Sequence, residues 1–87
     1  MTTLVNIKHG QKCDVYIGRP SKWGNPFIIG KDGDREVVIA KYREWFLQQE
    51  HLIKDLHELK DKILGCYCYP AFCHGDVLIE MVEKYVQ

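Results

Sequence analysis

The sequence has no excess of charge of either sign, no long apolar run and no repetitive tract. Twelve Lys and Arg side chains balance twelve Asp and Glu side chains, so the chain lacks the surplus positive charge that binds nucleic acids through counterion release. Its apolar stretches are far shorter than the roughly 20 residues of a membrane-spanning helix. The N-terminus, MTTLVNIKHG, lacks the basic start and apolar core of a signal peptide. We therefore expect a cytoplasmic protein that neither enters membranes nor binds DNA or RNA in bulk.

The length and composition of the chain are typical of one small globular domain. Its 87 residues are 46% apolar and 28% charged, and no proline-rich or serine-rich segment separates one part from another. A chain of this length has room for one core only, so residues 1–87 are predicted to form a single domain. A homodimer would suit so small a core, although no feature of the chain demands one.

Hydrophobic periodicity predicts an α/β fold. The predicted elements are strands at 3–8 and 13–17, helices at 35–49 and 52–59, a strand at 62–68, and a final helix that begins after Asp76. Asp34 and Asp76 are the predicted N-caps. The helical crossover should make the second and third strands parallel neighbours. This gives a short, mostly parallel sheet with a C-terminal helix. The predicted core is Val15, Ile17, Val38, Tyr42, Phe46, Leu56, Leu64, Val77, Leu78 and Met81.

Two unusual loops follow the two strands that this crossover joins. They are GRPSKWGNPF at 18–27 and CYCYPAFCHGD at 66–76, and both contain residues that interrupt helices and strands. The carboxyl ends of parallel strands lie at one edge of a sheet, where open α/β sheets bind their ligands. We therefore expect the two loops to meet in a single pocket.

The first loop combines positive charge with flat apolar surface. Arg19 and Lys22 can bind an anion, Asn25 can read the polar edge of a base or sugar, and Trp23 and Phe27 can stack on a planar group. An alternative stays open at this point. The two aromatic side chains would equally fill the end of a small core, with the two cations in solvent.

The second loop places His74, Gly75 and Asp76 where the last helix begins. Unpaired amides and the helix dipole favour a phosphate or carboxylate there, although Asp76 would also serve simply as a cap. His74 can donate, accept or titrate near neutral pH, which makes it the first candidate for a general acid or base, with Asp76 or a backbone carbonyl orienting it.

The cysteines of this loop leave three interpretations open. Cys66, Cys68, Cys73 and His74 offer four zinc ligands within nine residues, but their C-x-C-x4-C-H spacing is not that of a usual zinc knuckle. The cysteines would otherwise be small apolar side chains packed in the core. The third interpretation is a reactive thiol, Cys73, activated by the adjacent His74.

With these residues identified, the chain resembles a family of small bacterial and bacteriophage domains of unknown function. The resemblance rests on YIGRPSKWGNPF at 16–27, CYCYPAFCHGDV at 66–77 and KYREW at 41–45, and it covers nearly the whole chain. It implies no established activity. It does imply a phage accessory setting, such as nucleotide metabolism or interference with nucleotide-based host defence.

The leading hypothesis is a pocket that binds, and in one version processes, a nucleotide-derived anionic small molecule. Its predicted ligand-binding residues are Gly18, Arg19, Lys22, Trp23, Gly24, Asn25, Phe27, His74, Gly75 and Asp76. If the protein is an enzyme, His74 and Asp76 are its catalytic candidates, in hydrolysis or transfer at a glycosidic or phosphate bond. The alternatives are a zinc-stabilised module that contacts a protein or nucleic acid, and a thiol enzyme that uses Cys73 and His74.

Overall fold

Three strands form one parallel sheet in residues 1–67 and 73–86, the part of the chain that the computed structural model describes. The strands are β1 (Thr3–Asn6), β2 (Val15–Tyr16) and β3 (Ile63–Cys66), and the helices are α1 (Arg35–Phe46), α2 (Glu50–Asp55) and α3 (His74–Tyr85). Short 3-10 helices span Ile7–His9 and Leu56–Leu59. The order of the elements and the α/β class agree with the prediction from periodicity.

Strand β3 is the central strand and pairs in parallel with both neighbours. Leu64 lies opposite Leu4 of β1 and Val15 of β2, so the sheet order is β1-β3-β2. Gly65 follows, and a Cβ there would lie 2.4 Å from the Cys13 Sγ atom and 2.8 Å from a methyl of Ile7. Only glycine allows these side chains to approach the middle strand so closely.

The predicted core is confirmed with one qualification. All its members are buried except Val15, which is partly buried and packs against the same cluster. Helices α1 and α3 contribute most of it, and they contact each other. Trp23, Cys66 and Cys73 join the cluster as well, which sequence periodicity did not assign to the core.

The start of α1 was predicted correctly, and the start of α3 was not. The Asp34 side chain accepts a hydrogen bond from the Val37 amide at 2.9 Å, as an N-cap does. Helix α3 begins three residues earlier than expected, at His74, and its N-cap is Cys73. Asp76 occupies the third helical position instead, and its carboxylate accepts the Cys73 amide at 3.0 Å in a capping box.

Several elements are shorter than predicted. β1 stops at Asn6 because its side chain accepts the Lys8 amide and starts the first 3-10 helix. α1 ends at Phe46, three residues early. β3 ends at Cys66. Cys68, which was predicted to belong to this strand, lies outside the described residues. The parallel pairing of β2 and β3 still directs both following segments to the same edge of the sheet.

Candidate functional site

A cavity of about 470 Å³ lies at the carboxyl edge of the sheet, between the first loop and the start of α3. Residues from both predicted loops line it, among them Gly18, Arg19, Asn25, Phe27 and His74. The first turns of α1 supply further lining residues, so the cavity has walls from three separate parts of the chain. The described residues of both loops therefore line one cavity at the edge where the parallel strands β2 and β3 end.

The first loop is held in a defined shape by consecutive turns. The Ser21 amide donates to the Gly18 carbonyl at 2.9 Å, and the Gly24 amide donates to the Ser21 carbonyl at 3.0 Å. The Ser21 hydroxyl also accepts the Trp23 amide at 3.3 Å. These bonds fix which side chains of the loop face the cavity and which face the core.

Two glycines allow Arg19 to sit at the cavity. A Cβ on Gly18 would lie 2.3 Å from the Tyr16 hydroxyl, which donates to the Arg19 carbonyl at 3.1 Å. A Cβ on Gly24 would lie 3.0 Å from the Arg19 Cγ atom and 3.1 Å from its backbone. Gly18 and Gly24 were predicted to bind the ligand, but both allow close packing around Arg19. Gly18 lines the cavity, and Gly24 is not among the lining residues.

Trp23 faces the core and not the cavity. Its side chain is only 2% exposed and stacks on Phe46 with ring centroids 6.3 Å apart. The buried Tyr42 hydroxyl donates to the Trp23 carbonyl at 2.8 Å, and burial raises the pKa of Tyr42 well above its usual value. The alternative interpretation of this residue, that it fills the end of a small core, is the one that the geometry matches.

Lys22 likewise points away from the cavity. Its ammonium group forms ion pairs with Asp55 at 2.9 Å and with Glu58 at 3.0 Å, at the surface. Hydrogen bonds to Asp55 and then to Glu58 raise the pKa of Lys22. The structure therefore separates the two cations that the sequence grouped together, and only Arg19 lies at the cavity.

Asn25 lines the cavity, but its amide group already has partners. Its Nδ2 atom donates to the Val38 carbonyl at 3.3 Å, and its Oδ1 atom accepts the Phe27 amide at 2.9 Å. Asn25 therefore ties the first loop to α1 and positions Phe27. From the sequence we expected this amide to contact the ligand. Instead, its Nδ2 and Oδ1 atoms both bind backbone groups of the cavity wall.

His74 is buried and oriented by a backbone carbonyl. Its Nε2 atom lies 2.7 Å from the Ile17 carbonyl oxygen, and its ring meets the Tyr42 ring edge-on at 5.1 Å. A carbonyl can only accept, so Nε2 carries the proton and Nδ1 holds the lone pair when the ring is neutral. Burial lowers the pKa of His74, the Arg19 charge lowers it further, and the Ile17 and Asp76 contacts act in the opposite direction.

The helix start beside His74 is occupied by its own capping interactions. The Gly75 amide donates to the Cys73 Sγ atom at 3.3 Å, and the Asp76 amide donates to the Cys73 carbonyl at 3.0 Å. Gly75 is there because a Cβ would lie 2.5 Å from Leu4 and 2.9 Å from Ile17. Gly75 and Asp76 therefore shape the start of α3, and neither lines the cavity.

Cys66 and Cys73 lie together in the cavity wall. Both are buried, and their sulfur atoms are 3.7 Å apart. Cys68, the third cysteine of the predicted zinc set, lies outside the described residues. Within 1–67 and 73–86 no three His, Cys, Asp or Glu side chains are grouped as metal ligands. The zinc site stays a prediction, and metal analysis of the purified protein tests it.

Sequence reasoning missed Arg35 and the apolar rim of the cavity. Arg35 is the first residue of α1. The other lining residues without a predicted site role are Tyr16, Ile28, Ile29, Val38, Ile39 and Tyr67. A signal for Arg35 existed in the predicted topology. A helix that follows a parallel strand starts at the carboxyl edge of the sheet, so its first residues had to lie near the two loops.

Two arginines contribute positive charge to the described lining of the cavity. Arg19 and Arg35 are among the described residues that line it, and no Asp or Glu is among them. Tyr16, Phe27 and Tyr67 add aromatic surface, with Tyr16 and Tyr67 meeting edge-on at 6.0 Å. Such a cavity can hold a ligand that carries a negative charge on one part and a planar ring on another.

None of the helices in the described part of the chain is both long enough and apolar enough to span a membrane.

No solved structure matches the chain. Two viral proteins do match it. "Uncharacterized protein R718" of Acanthamoeba polyphaga mimivirus is 40% identical over 94% of this chain and 82% of its own length. "Uncharacterized 12.4 kDa protein in nrdA-td intergenic region" of Enterobacteria phage T4 is 35% identical over 88% of this chain and 74% of its own.

The phage relative agrees with the bacteriophage source that the sequence motifs suggested, and the mimivirus relative extends the sources to a virus of another kind. A family described as "Domain of unknown function (DUF4326)" matches residues 5–84, which is most of the strands, the cavity and the three helices. The chain therefore belongs to the DUF4326 family.

Proposed function

We propose that the chain binds a nucleotide-derived anionic small molecule in the cavity between the first loop and the start of α3. One observation carries the proposal. Arg19 and Arg35 line a cavity of about 470 Å³ that has aromatic and aliphatic walls and no carboxylate among its described lining residues. Small-molecule pockets typically measure roughly 300–1,000 Å³ and combine apolar walls with a few polar groups.

The arginines and the aromatic rings recognise different parts of the ligand. The guanidinium groups of Arg19 and Arg35 bind the phosphate or carboxylate part, since arginine forms paired hydrogen bonds to such groups. Phe27 and Tyr67 supply the apolar surface for a base, and Tyr67 is 59% exposed at the mouth. Asn25 holds Phe27 in place and does not contact the ligand.

His74 is the candidate general base if the ligand is turned over at a glycosidic or phosphate bond. The Ile17 carbonyl fixes its ring, which matches the arrangement in which a third group orients a catalytic base. Asp76 does not serve as that third group, because its carboxylate accepts the Cys73 amide. A conversion assay on the bound ligand, with His74→Gln beside the wild type, separates an enzyme from a binding protein.

The setting that we propose is the cytoplasm of a bacterium or an infected cell, where the protein acts on a nucleotide-like metabolite or signal. The viral sources of the two relatives support a viral accessory role. The balance of twelve basic and twelve acidic side chains also favours a small anionic ligand over a nucleic acid, which would need surplus positive charge.

A thermal-shift screen against nucleotides, cyclic nucleotides and ADP-ribose derivatives tests the proposal. A ligand present at 100 times its Kd stabilises the folded state by about 2.7 kcal/mol, which raises the Tm of so small a domain by roughly 10 °C or more. Arg19→Ala and Arg35→Ala should each abolish most of that shift. Lys22→Ala is the matched control, because Lys22 is in the same loop but pairs with Asp55 and Glu58. Equal shifts in all four proteins would refute the proposed site.

A further inference from the structure

The wall of the cavity contains two sulfur atoms in contact. Cys66 ends β3 and Cys73 caps α3, so two different elements bring these cysteines together at the carboxyl edge of the sheet. Their Sγ atoms are 3.7 Å apart, each residue is only 2% exposed, and both line the cavity. The cavity therefore gives a small molecule a route to an otherwise buried pair of thiols.

The Cys73 sulfur lies at the start of α3 and is held there by a backbone amide. It accepts a hydrogen bond from the Gly75 amide at 3.3 Å. Cys73 is the N-cap of a 12-residue helix, so its side chain has a fixed position beside Cys66. Thiolates are the attacking species in exchange with disulfides.

We propose that Cys66 and Cys73 form a thiol–disulfide exchange site whose substrates are low-molecular-weight disulfides that enter the cavity. The proposal rests on the sulfur pair and its access through the cavity, and it does not depend on the anionic ligand proposed above. It gives the cavity wall two covalent forms, a dithiol and a disulfide. Disulfides of this kind in reducing compartments are typically transient.

The reaction has two exchange steps. The Cys73 thiolate attacks one sulfur of the small disulfide RSSR, the S–S bond breaks, and the first RS⁻ leaves and takes up the proton released by Cys73. The Cys66 thiolate then attacks the Cys73 sulfur of this mixed disulfide and expels the second RS⁻, which takes up the proton of Cys66. Two cysteine thiols are oxidised and one RSSR is reduced to two RSH. The Sγ atoms close from 3.7 Å to a bond of about 2.05 Å.

Cys13 is the natural control within the same chain. It is partly buried and packs against Gly65 of β3, but it does not line the cavity. If exchange depended on thiol content alone, Cys13 would react as well as the pair does. The proposal requires selective bonding between Cys66 and Cys73.

Oxidised glutathione is the probe. The reduced, folded protein is incubated with it, the remaining thiols are alkylated, and the mass is compared with that of an untreated sample. Chymotrypsin then cleaves after Tyr67 and Phe72, which places Cys66, Cys68 and Cys73 on three separate peptides. After alkylation under denaturing conditions we expect two alkyl groups per chain, against four in the untreated sample alkylated in the same way, and a crosslink between the Cys66 and Cys73 peptides. A urea-denatured sample should give a mixture of pairings.

Variants separate the pair from the other cysteines. Cys13→Ser and Cys68→Ser should retain the crosslink, whereas Cys66→Ser should stop at a glutathione adduct and Cys73→Ser should lose the crosslink. The proposal is overturned if the folded wild-type protein stays fully reduced, if the crosslink includes Cys68, or if purified protein holds one zinc ion per chain that blocks these thiols. The wild-type peptide map decides even if a serine variant fails to fold.

Discussion

Arg19 and Trp23 lie in the same hydrogen-bonded loop but belong to different parts of the molecule. Trp23 is 2% exposed and stacks on Phe46 in the core, whereas Arg19 is exposed at the cavity. The turns between Gly18 and Gly24 reverse the chain, so neighbouring residues face opposite sides. A single sequence block thus builds the scaffold and the candidate site together, and its residue types alone do not say which residue does which.

Trp23→Ala should have the largest effect on folding. Removing a buried tryptophan costs about 3–5 kcal/mol, because the side chain leaves a cavity and loses its contact with Phe46. Urea unfolding followed by circular dichroism measures this. The adjacent Lys22→Ala is the control and should change stability by about 1 kcal/mol or less, as expected for exposed ion pairs. Equal losses in the two variants would remove the distinction between the core and surface sides of this loop.

Asn25→Ala should have the next largest effect, on stability first and on ligand binding only indirectly. The side chain makes hydrogen bonds to the backbone of Val38 and Phe27, and each such bond contributes about 0.5–1.5 kcal/mol. We expect a loss of about 1–3 kcal/mol in the unfolding free energy without any ligand. A variant of wild-type stability that loses binding would instead assign the Asn25 amide to the ligand.

The sequence predicted the architecture better than the exact ends of its elements. Periodicity placed Val38, Tyr42 and Leu78 in the core, and the crossover predicted parallel strands with both loops at one edge. These features depend on averages over many residues. The sequence also predicted a loop of fixed shape at 18–27, because its prolines and glycines exclude regular structure.

The details of the candidate site depended on single contacts that no pattern encodes. A cysteine is an uncommon N-cap, so Asp76 looked like the better choice, although an acidic residue at the third helical position is equally suited to a capping box. Lys22 was grouped with Arg19 because both are basic. Its partners, Asp55 and Glu58, are more than 30 positions away in sequence and became visible only in the fold.

The pH dependence of stability should identify His74 as a buried group. Burial lowers its pKa below the usual value of 6.5, so the unfolded chain binds a proton more readily than the folded chain does. Stability should therefore be full above about pH 6.5 and fall as the pH drops from there toward the lowered pKa. The loss scales as about 1.4 kcal/mol per unit difference in pKa.

His74→Gln is the variant that checks the assignment, because glutamine keeps a donor for the Ile17 carbonyl but does not titrate. Its stability should be flatter than that of the wild type between pH 7.5 and 5, measured by urea unfolding at each pH. Asp55 and Asp61 do not obscure this window, because ion-pair partners lower the pKa values of both below 3.8. Identical pH profiles for the two proteins would show that another group is responsible. A buried His74 with a carbonyl partner contributes to the fold as well as to the wall of the cavity.

Arg19→Ala should have the smallest effect on folding and a specific effect on His74. Arg19 is exposed, so the loss of its side chain should change the unfolding free energy by no more than about 0.5 kcal/mol. Its positive charge lowers the pKa of His74 across the cavity, and removing that charge should move the His74 pKa upward. A titration of the His74 ring by NMR measures this shift, and high salt should reduce the difference between the two proteins. Lys22→Ala removes the same charge from the same loop on the other side, where Asp55 and Glu58 hold it, and should leave the His74 titration unchanged. If both variants moved the His74 pKa equally, the position of Arg19 at the cavity would not explain the lowered pKa of His74.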